Sequence, residues 1–125
     1  MEENNIYTLE NENETGEVRI ADDVVAVIAG LAATEIDGVA SIYGNITNEI
    51  VSKLTKKSLS KGVKAIVSDN EVEINIILNV KFGFNIKEVT AKVQDKIKTS
   101  IENMTGLGVK AVNIRIANIV ADANA

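Results

Sequence analysis

The side chains of this sequence that could do chemistry are few, and they are carboxylates. Asp22 and Asp23 are adjacent and could form a pair for acid–base work, but acids at a predicted helix start favour the positive end of the helix dipole. Glu71 and Glu73 stand two positions apart on a predicted strand, about 6–7 Å by strand rise. That spacing could hold a cation weakly, although a solvated sheet face is the favoured interpretation. The run 106–108 lacks the third glycine and the lysine of a phosphate loop, and it follows a helix instead of preceding one.

The sequence contains no histidine and no cysteine. It therefore lacks the usual general base, the usual zinc ligands, a thiolate nucleophile and any disulfide. We predict a protein that is not an enzyme and that uses no metal and no cofactor.

Negative charge is concentrated at the amino terminus. Residues 1–15 carry five glutamates and no basic residue, so the formal net charge of −5 belongs to this tail, and the other 110 residues sum to zero. The tail has too few apolar residues to fold alone, and we expect it to be disordered. The alternative is a short partner-binding peptide anchored by Ile6, Tyr7 and Leu9.

The elements that must position any site centre on a predicted β-hairpin over residues 62–82. Apolar residues occupy every second position from Val72 to Phe82, which is typical of a strand with one face in a core. Residues 68–70, Ser-Asp-Asn, suit a tight turn. With helices and strands on both sides, the order is β-α-β-α-β-β-α-β. This predicts an α+β fold of two layers, a small antiparallel or mixed sheet with helices on one face. Residues 16–120 would be one domain, followed by a flexible end at 121–125.

A first helix is predicted from Asp22 to about Ile36. Val24, Val27, Ile28 and Leu31 form one apolar stripe. The other side carries only small residues, where a helix on a sheet normally shows charge to water. Another helix of the same domain covering this side is the favoured interpretation, and a self-association surface is the alternative. The residues of this small-residue face are Ala26, Ala29, Gly30 and Ala33.

The helix predicted after the hairpin has clear signals at its amino-terminal end. Asn85 is a good N-cap, Glu88 could complete a capping box, and Phe84 with Val89 fits a hydrophobic staple. Its predicted buried stripe is Val89, Val93, Ile97, Ile101 and Met104.

A cluster of lysines accompanies a predicted amphipathic helix over residues 47–59. A solvated face is the favoured interpretation, and a docking site for an acidic partner, an anionic membrane surface or the acidic tail is the alternative. This candidate partner-docking patch consists of Lys53, Lys56, Lys57, Lys61 and Lys64.

The sequence shows neither a secretion signal nor a membrane span, because its longest apolar run is the ten residues 24–33. We expect a cytoplasmic protein. RNA binding is a less favoured possibility, since the sequence pI is about 4.8 and Phe82 and Phe84 have predicted roles other than base stacking.

Two blocks carry a resemblance to a known family. Residues 16–44, GEVRIADDVVAVIAGLAATEIDGVASIYG, and residues 80–119, with the run NMTGLG, resemble the alkaline shock protein (Gls-type general stress) family of Gram-positive bacteria. The resemblance departs at Phe82, where the family often has tyrosine, and at Lys87, where it often has proline, and residues 45–64 match nothing.

The resemblance implies a non-enzymatic protein of the cell-envelope stress response and of cell wall homeostasis. It implies a protein that acts through protein–protein interaction, forms a homo-oligomer and docks at the inner face of the membrane through a small membrane-anchored partner. The alternative that it implies is a soluble regulator that binds a metabolic enzyme of fatty-acid precursor synthesis. No nucleic acid is expected as a partner.

Overall fold

The computed structural model describes residues 6–8, 17–44, 46–47 and 62–121. Six strands and two helices occur within these ranges. They are β1 (Ile6–Thr8), β2 (Glu17–Arg19), α1 (Asp22–Thr34), β3 (Val39–Ile42), β4 (Val63–Ser68), β5 (Glu71–Lys81), α2 (Ile86–Thr105) and β6 (Gly108–Val120). The α+β fold class is confirmed. The helix predicted over residues 47–59 lies almost wholly outside the described residues, as does the end at 122–125.

Strand β5 is the centre of the main sheet. β4 pairs with its amino-terminal half and β3 with its carboxyl-terminal half, both antiparallel and both along the same edge. β6 runs parallel to β5 along the whole of the other edge, from Glu71 opposite Gly108 to Lys81 opposite Val120. The sheet is therefore mixed, which is one of the two predicted forms.

The predicted hairpin is confirmed. Its strands are β4 and β5, and Asp69 in the turn adopts a positive φ of 54°. Asp tolerates this left-handed conformation because its short polar side chain can bond locally.

β3 and β4 lie end to end along the same edge of β5, and their ends meet opposite Ile77. The Ile77 N–H donates to Gly62 O at 2.9 Å, and the Tyr43 N–H donates to Ile77 O at 2.9 Å. A Cβ at position 62 would overlap Ile42 Cγ2 and would lie 3.0 Å from Tyr43 O. Glycine is needed there because two strand ends meet on one residue of β5.

Both helices pack on one side of the sheet. α1 contacts α2 and strands β3, β4 and β5, and α2 also contacts β6. The core between the layers is aliphatic, as the low aromatic content of the sequence requires. Its fully buried large side chains include Ile42, Ile74, Ile76, Leu78, Ile97, Ile101 and Leu107.

Helix α2 begins as predicted, since Asn85 Oδ1 accepts the Glu88 N–H at 3.0 Å. Its buried stripe ends differently: Thr105 is buried, and Met104 is 70% exposed. A step of four from Ile101 keeps the stripe over the core, whereas Met104 falls on the outer side. The Thr105 hydroxyl, buried there, donates to Ile101 O and accepts the Leu107 N–H.

Three residues of the tail that was predicted to be disordered form a strand. Ile6–Thr8 pairs antiparallel with Glu17–Arg19 in a separate two-stranded sheet, from Ile6 opposite Arg19 to Thr8 opposite Glu17. The rest of the tail lies outside the described residues.

Candidate functional site

The small-residue face of α1 lies in the interior of the single chain. Ala29 and Ala33 are 0% exposed, Ala26 is 8% exposed and Gly30 is buried. The face is therefore not a surface on which a second copy could dock, which corrects the self-association alternative for these residues. The small side chains instead let α1 pack closely among α2 and the sheet.

Most of the predicted docking patch lies outside the described residues, namely Lys53, Lys56, Lys57 and Lys61. Lys64 is described, and its side chain is exposed on β4 opposite Asn75 of β5. This register places Lys64 on the sheet face that points away from the helices.

The carboxylates considered for chemistry lie on two separate elements, α1 and β5. Asp22 and Asp23 lie in the first turn of α1, where their negative charges interact favourably with the positive end of the helix dipole. Glu73 accepts hydrogen bonds from the side-chain amides of Asn75 and Asn113. In the glycine-containing run 106–108, Gly106 ends α2 in the left-handed conformation. Within the described ranges no three acidic residues come close enough together to hold a metal ion.

The face of the sheet opposite the helices carries a row of hydrogen-bonded amides. Asn75 of β5 stands between Lys64 of β4 and Asn113 of β6. The Asn113 amide donates to Asn75 Oδ1 at 2.9 Å and to Glu73 Oε2 at 3.3 Å, and the Asn75 amide donates to Glu73 Oε2 at 3.4 Å. One carboxylate thus fixes the orientation of two amides on neighbouring strands.

A second row crosses the same face four residues further along β5. Asn79 donates to the Ser41 hydroxyl at 2.9 Å and accepts from the Asn118 amide at 3.0 Å, which joins β3, β5 and β6. Asn79 and Ser41 are 5% and 7% exposed, so these bonds satisfy polar groups that burial would otherwise penalise. Sequence reasoning missed both rows. Asn75 and Asn79, four residues apart on the polar side of β5, were the available signal, but their partners depend on the register.

Between the two rows the open face forms a shallow cleft of about 370 Å³. Ile77 and Gly62 lie at its centre, and Lys64 and Arg115 lie on opposite sides of it. The cleft therefore combines an apolar floor with two cations.

Apolar side chains are exposed where β5 and β6 end. Phe82 is 72% exposed, although the alternation predicted it to be inward, because β5 ends at Lys81. Its backbone N–H still donates to Val120 O at 2.8 Å. Ile119 beside it is 47% exposed, and Phe84 and Ile86 in the following turn are 46% and 42% exposed. The predicted staple residues Phe84 and Val89 both lie against Gly38, whose φ is +99°.

The outer edge of β6 is only partly covered. The Gln94 amide of α2 donates to Val112 O at 3.0 Å, and Glu102 Oε2 accepts the Val109 N–H at 3.3 Å. The hydrogen bond from Lys98, followed by that from Val109, lowers the pKa of Glu102 below its usual value. These side chains occupy only the first part of the edge, and no described strand pairs with the remainder.

The fold defines a class: a small α+β protein with a mixed four-stranded sheet, in whose described residues no group of three potential metal ligands occurs. None of the described helices has the length and apolar character needed to cross a bilayer. The chain belongs to the family named Asp23 (a family name, unrelated to the residue), which is described as having a cell envelope-related function and which matches residues 10–121.

Relatives in Gram-positive bacteria agree with this membership. The chain is 38% identical over 126 residues to the uncharacterized protein YqhY of Bacillus subtilis, covering 100% of this chain and 93% of that protein. It is 28% identical over 114 residues to YloU of the same organism, covering 90% and 95%. It is 23% identical over 105 residues to a stress response regulator gls24 homolog of Streptococcus pyogenes, covering 83% of this chain and 59% of that protein. No solved structure gives a significant match. The resemblance to the alkaline shock protein family is thereby confirmed.

Proposed function

We propose that this protein is a non-enzymatic scaffold of the cell-envelope stress response, which self-associates through the free edge of β6 and docks to a membrane-anchored partner. The family description and the relatives named as stress response regulators support the envelope and stress setting. The lack of histidine and cysteine supports a role without catalysis. The observation that supports self-association is that no strand among the described residues pairs with the outer edge of β6 beyond Val112.

The direction of the backbone groups on β5 defines that edge. The N–H and C=O of Ile77 both bond toward the β3/β4 side. Successive residues of a strand point their backbone groups in opposite directions, so Ile76 and Leu78 bond toward β6.

The register then fixes which residues of β6 point outward. In a parallel pair, the residue opposite a bonded residue directs its own N–H and C=O away from the partner strand. Ile114 and Ile116 stand opposite Ile76 and Leu78, so their backbone groups face outward. Val112, whose carbonyl is bonded by Gln94, fits the same alternation.

An open edge of this kind is a template for another strand. Natural edge strands are usually blocked by proline, by several charges or by a covering element. The part of β6 beyond Val112 has no proline, and Arg115 is its one charged residue. A second copy could pair there antiparallel about a two-fold axis, which would give one continuous sheet across two chains.

The test compares Ile116→Pro with Ile116→Ala. Both variants shorten the side chain, but only proline removes the outward N–H. Size-exclusion chromatography with light scattering over a concentration series should show association for wild type and Ile116→Ala, and a folded monomer for Ile116→Pro. Arg115→Pro serves as a control, because its N–H bonds inward to β5 and its loss should unfold the domain. A wild type that stays monomeric at high concentration would refute the proposal, as would unchanged association of Ile116→Pro.

Docking needs a separate experiment. Crosslinking in cells followed by mass spectrometry should recover a membrane-anchored protein. Recovery of a soluble metabolic enzyme as the main product would instead support the alternative function. Replacing Lys53, Lys56 and Lys57 with glutamate tests whether the lysine patch carries the contact, with an unchanged partner list as the contrary result.

A further inference from the structure

The cleft on the open face of the sheet has the composition of a ligand site, and it plays no part in the proposed self-association. Its volume of about 370 Å³ lies in the lower part of the range for small-molecule sites. The residues that line it include Gly62, Lys64, Asn75, Ile77, Asn113 and Arg115.

Two cations flank the cleft from opposite strands. Lys64 is opposite Asn75, and Arg115 is opposite Ile77, two positions further along β5. Strand spacing and rise then place their Cα atoms about 12 Å apart across the cleft. Both side chains are exposed, and neither forms an ion pair within the described part of the chain.

The nearest acid on this face is already engaged. Glu73 lies one row away from the cleft and accepts from the amides of both Asn75 and Asn113. These hydrogen bonds hold the two amides in fixed positions. The wall beside the cations is therefore preorganised before any ligand arrives.

The floor of the cleft is apolar. Ile77 is half-buried, and Gly62 adds no side chain above it. An inorganic anion would contact the two cations and leave the apolar floor exposed to water, whereas a ligand with an apolar group would bury that floor. The cleft suits a ligand that has both parts.

We propose that this cleft binds a small organic anion, with its carboxylate or phosphate group between Lys64 and Arg115 and its apolar body on Ile77. Arg115 offers a planar fork of donors that matches either group, and Lys64 adds a single mobile charge.

Benzoate, phenyl phosphate and neutral benzamide are suitable probes for the full-length protein. Amide and side-chain NMR spectra should show saturable shifts at Ile77, Asn113 and Arg115 with both anions, with a Kd of about 1 mM for ligands of this size. Benzamide, which has the shape of benzoate without its charge, should bind at least about fivefold more weakly. Equal binding of benzamide, or no saturable shift, would overturn the proposal.

Variants separate this site from general charge effects. Arg115→Gln and Lys64→Gln should each weaken benzoate binding about two- to fivefold, since both cations are exposed and partly screened. Lys92→Gln, an exposed lysine on α2, should leave binding unchanged. Identical affinity in all three variants would refute the assignment.

Two further arms identify the ligand class. Inorganic phosphate should bind more weakly than phenyl phosphate, and equal affinity would refute the role of the apolar floor. Replacing Glu10, Glu12 and Glu14 with glutamine should leave benzoate affinity unchanged. Tighter binding in that variant would show that carboxylates of the chain's own tail compete for the cleft, which would overturn the proposal of a separate ligand.

Discussion

Replacing Ala33 with glutamate should unfold the domain or bring it close to unfolding. Ala33 is 0% exposed, so the new carboxylate would enter a filled apolar interior. Overpacking costs about 1–3 kcal/mol, and burying a polar group without a partner costs about as much again. A combined loss of about 4 kcal/mol is a large part of the 5–15 kcal/mol that stabilises a typical domain.

The assay is thermal unfolding followed by circular dichroism, with Val24→Glu as the matched control. For a domain of about 100 residues, a loss of 4 kcal/mol lowers Tm by roughly 15–30 °C. Val24 lies on the same helix, and its predicted place in the apolar stripe is wrong, because its side chain is 50% exposed. Val24→Glu should therefore shift Tm by less than about 4 °C.

The pH dependence provides a second reading of Ala33→Glu. Burial disfavours the charged form, so the pKa of the introduced carboxyl should be raised in the folded state above its unfolded value of about 4.3. The native state then holds the proton more tightly, and the deficit relative to wild type should shrink as pH falls toward the unfolded pKa. If Ala33→Glu melted within a few degrees of wild type and altered association, the small-residue face would be a surface and the reasoning would be refuted.

Three other changes test particular contacts. Asn85→Ala removes the side-chain cap of α2 and should cost about 1 kcal/mol, or roughly 4–8 °C in Tm; no change would mean that the cap is not formed in solution. Gly62→Ala should cost about 1–3 kcal/mol in urea unfolding, because its Cβ overlaps Ile42, and a neutral result would contradict the close approach of the two strand ends. An NMR titration of Glu102 should give a pKa below the usual glutamate value, since the hydrogen bonds from Lys98 and Val109 lower it; this carboxylate favours the folded state above its unfolded pKa, and the contribution is lost as pH falls through the folded pKa. Lys98→Gln should raise the pKa of Glu102 back toward the usual value, and an unmoved pKa would contradict the assigned cause.

Local patterns in the sequence were sufficient to predict the elements that depend on interactions between neighbouring residues. The alternation of β5, the turn at Asp69 and the cap at Asn85 each depend on residues within a few positions of one another. Two predictions failed where the end of an element decides burial. Phe82 continues the alternation of apolar residues, but it follows the last residue of β5 and is exposed. Met104 lies three residues after Ile101 and is exposed, whereas Thr105, four residues after Ile101, is buried.

Features that depend on distant pairing could not be found in one sequence. The parallel alignment of β6 with β5 places Asn113 beside Asn75, and Asn118 beside Asn79, across about forty residues. Alternation shows that each strand has a polar face but does not show which strand is its neighbour. For the same reason the cleft between Lys64 and Arg115 could not be predicted.

The end of β3 and the start of β4 meet at Ile77, so the segment that connects these two strands begins and ends at nearly the same place on the sheet. The chain leaves β5 at Tyr43 and returns to it at Gly62, both opposite the same residue. Because the two anchor points are adjacent, doubling the length of the connection would add only about 0.6 kcal/mol of closure entropy. Added length between Thr47 and Gly62 should therefore cost little stability, whereas Ile46, which is buried and exchanges backbone hydrogen bonds with Ile42, should tolerate little change.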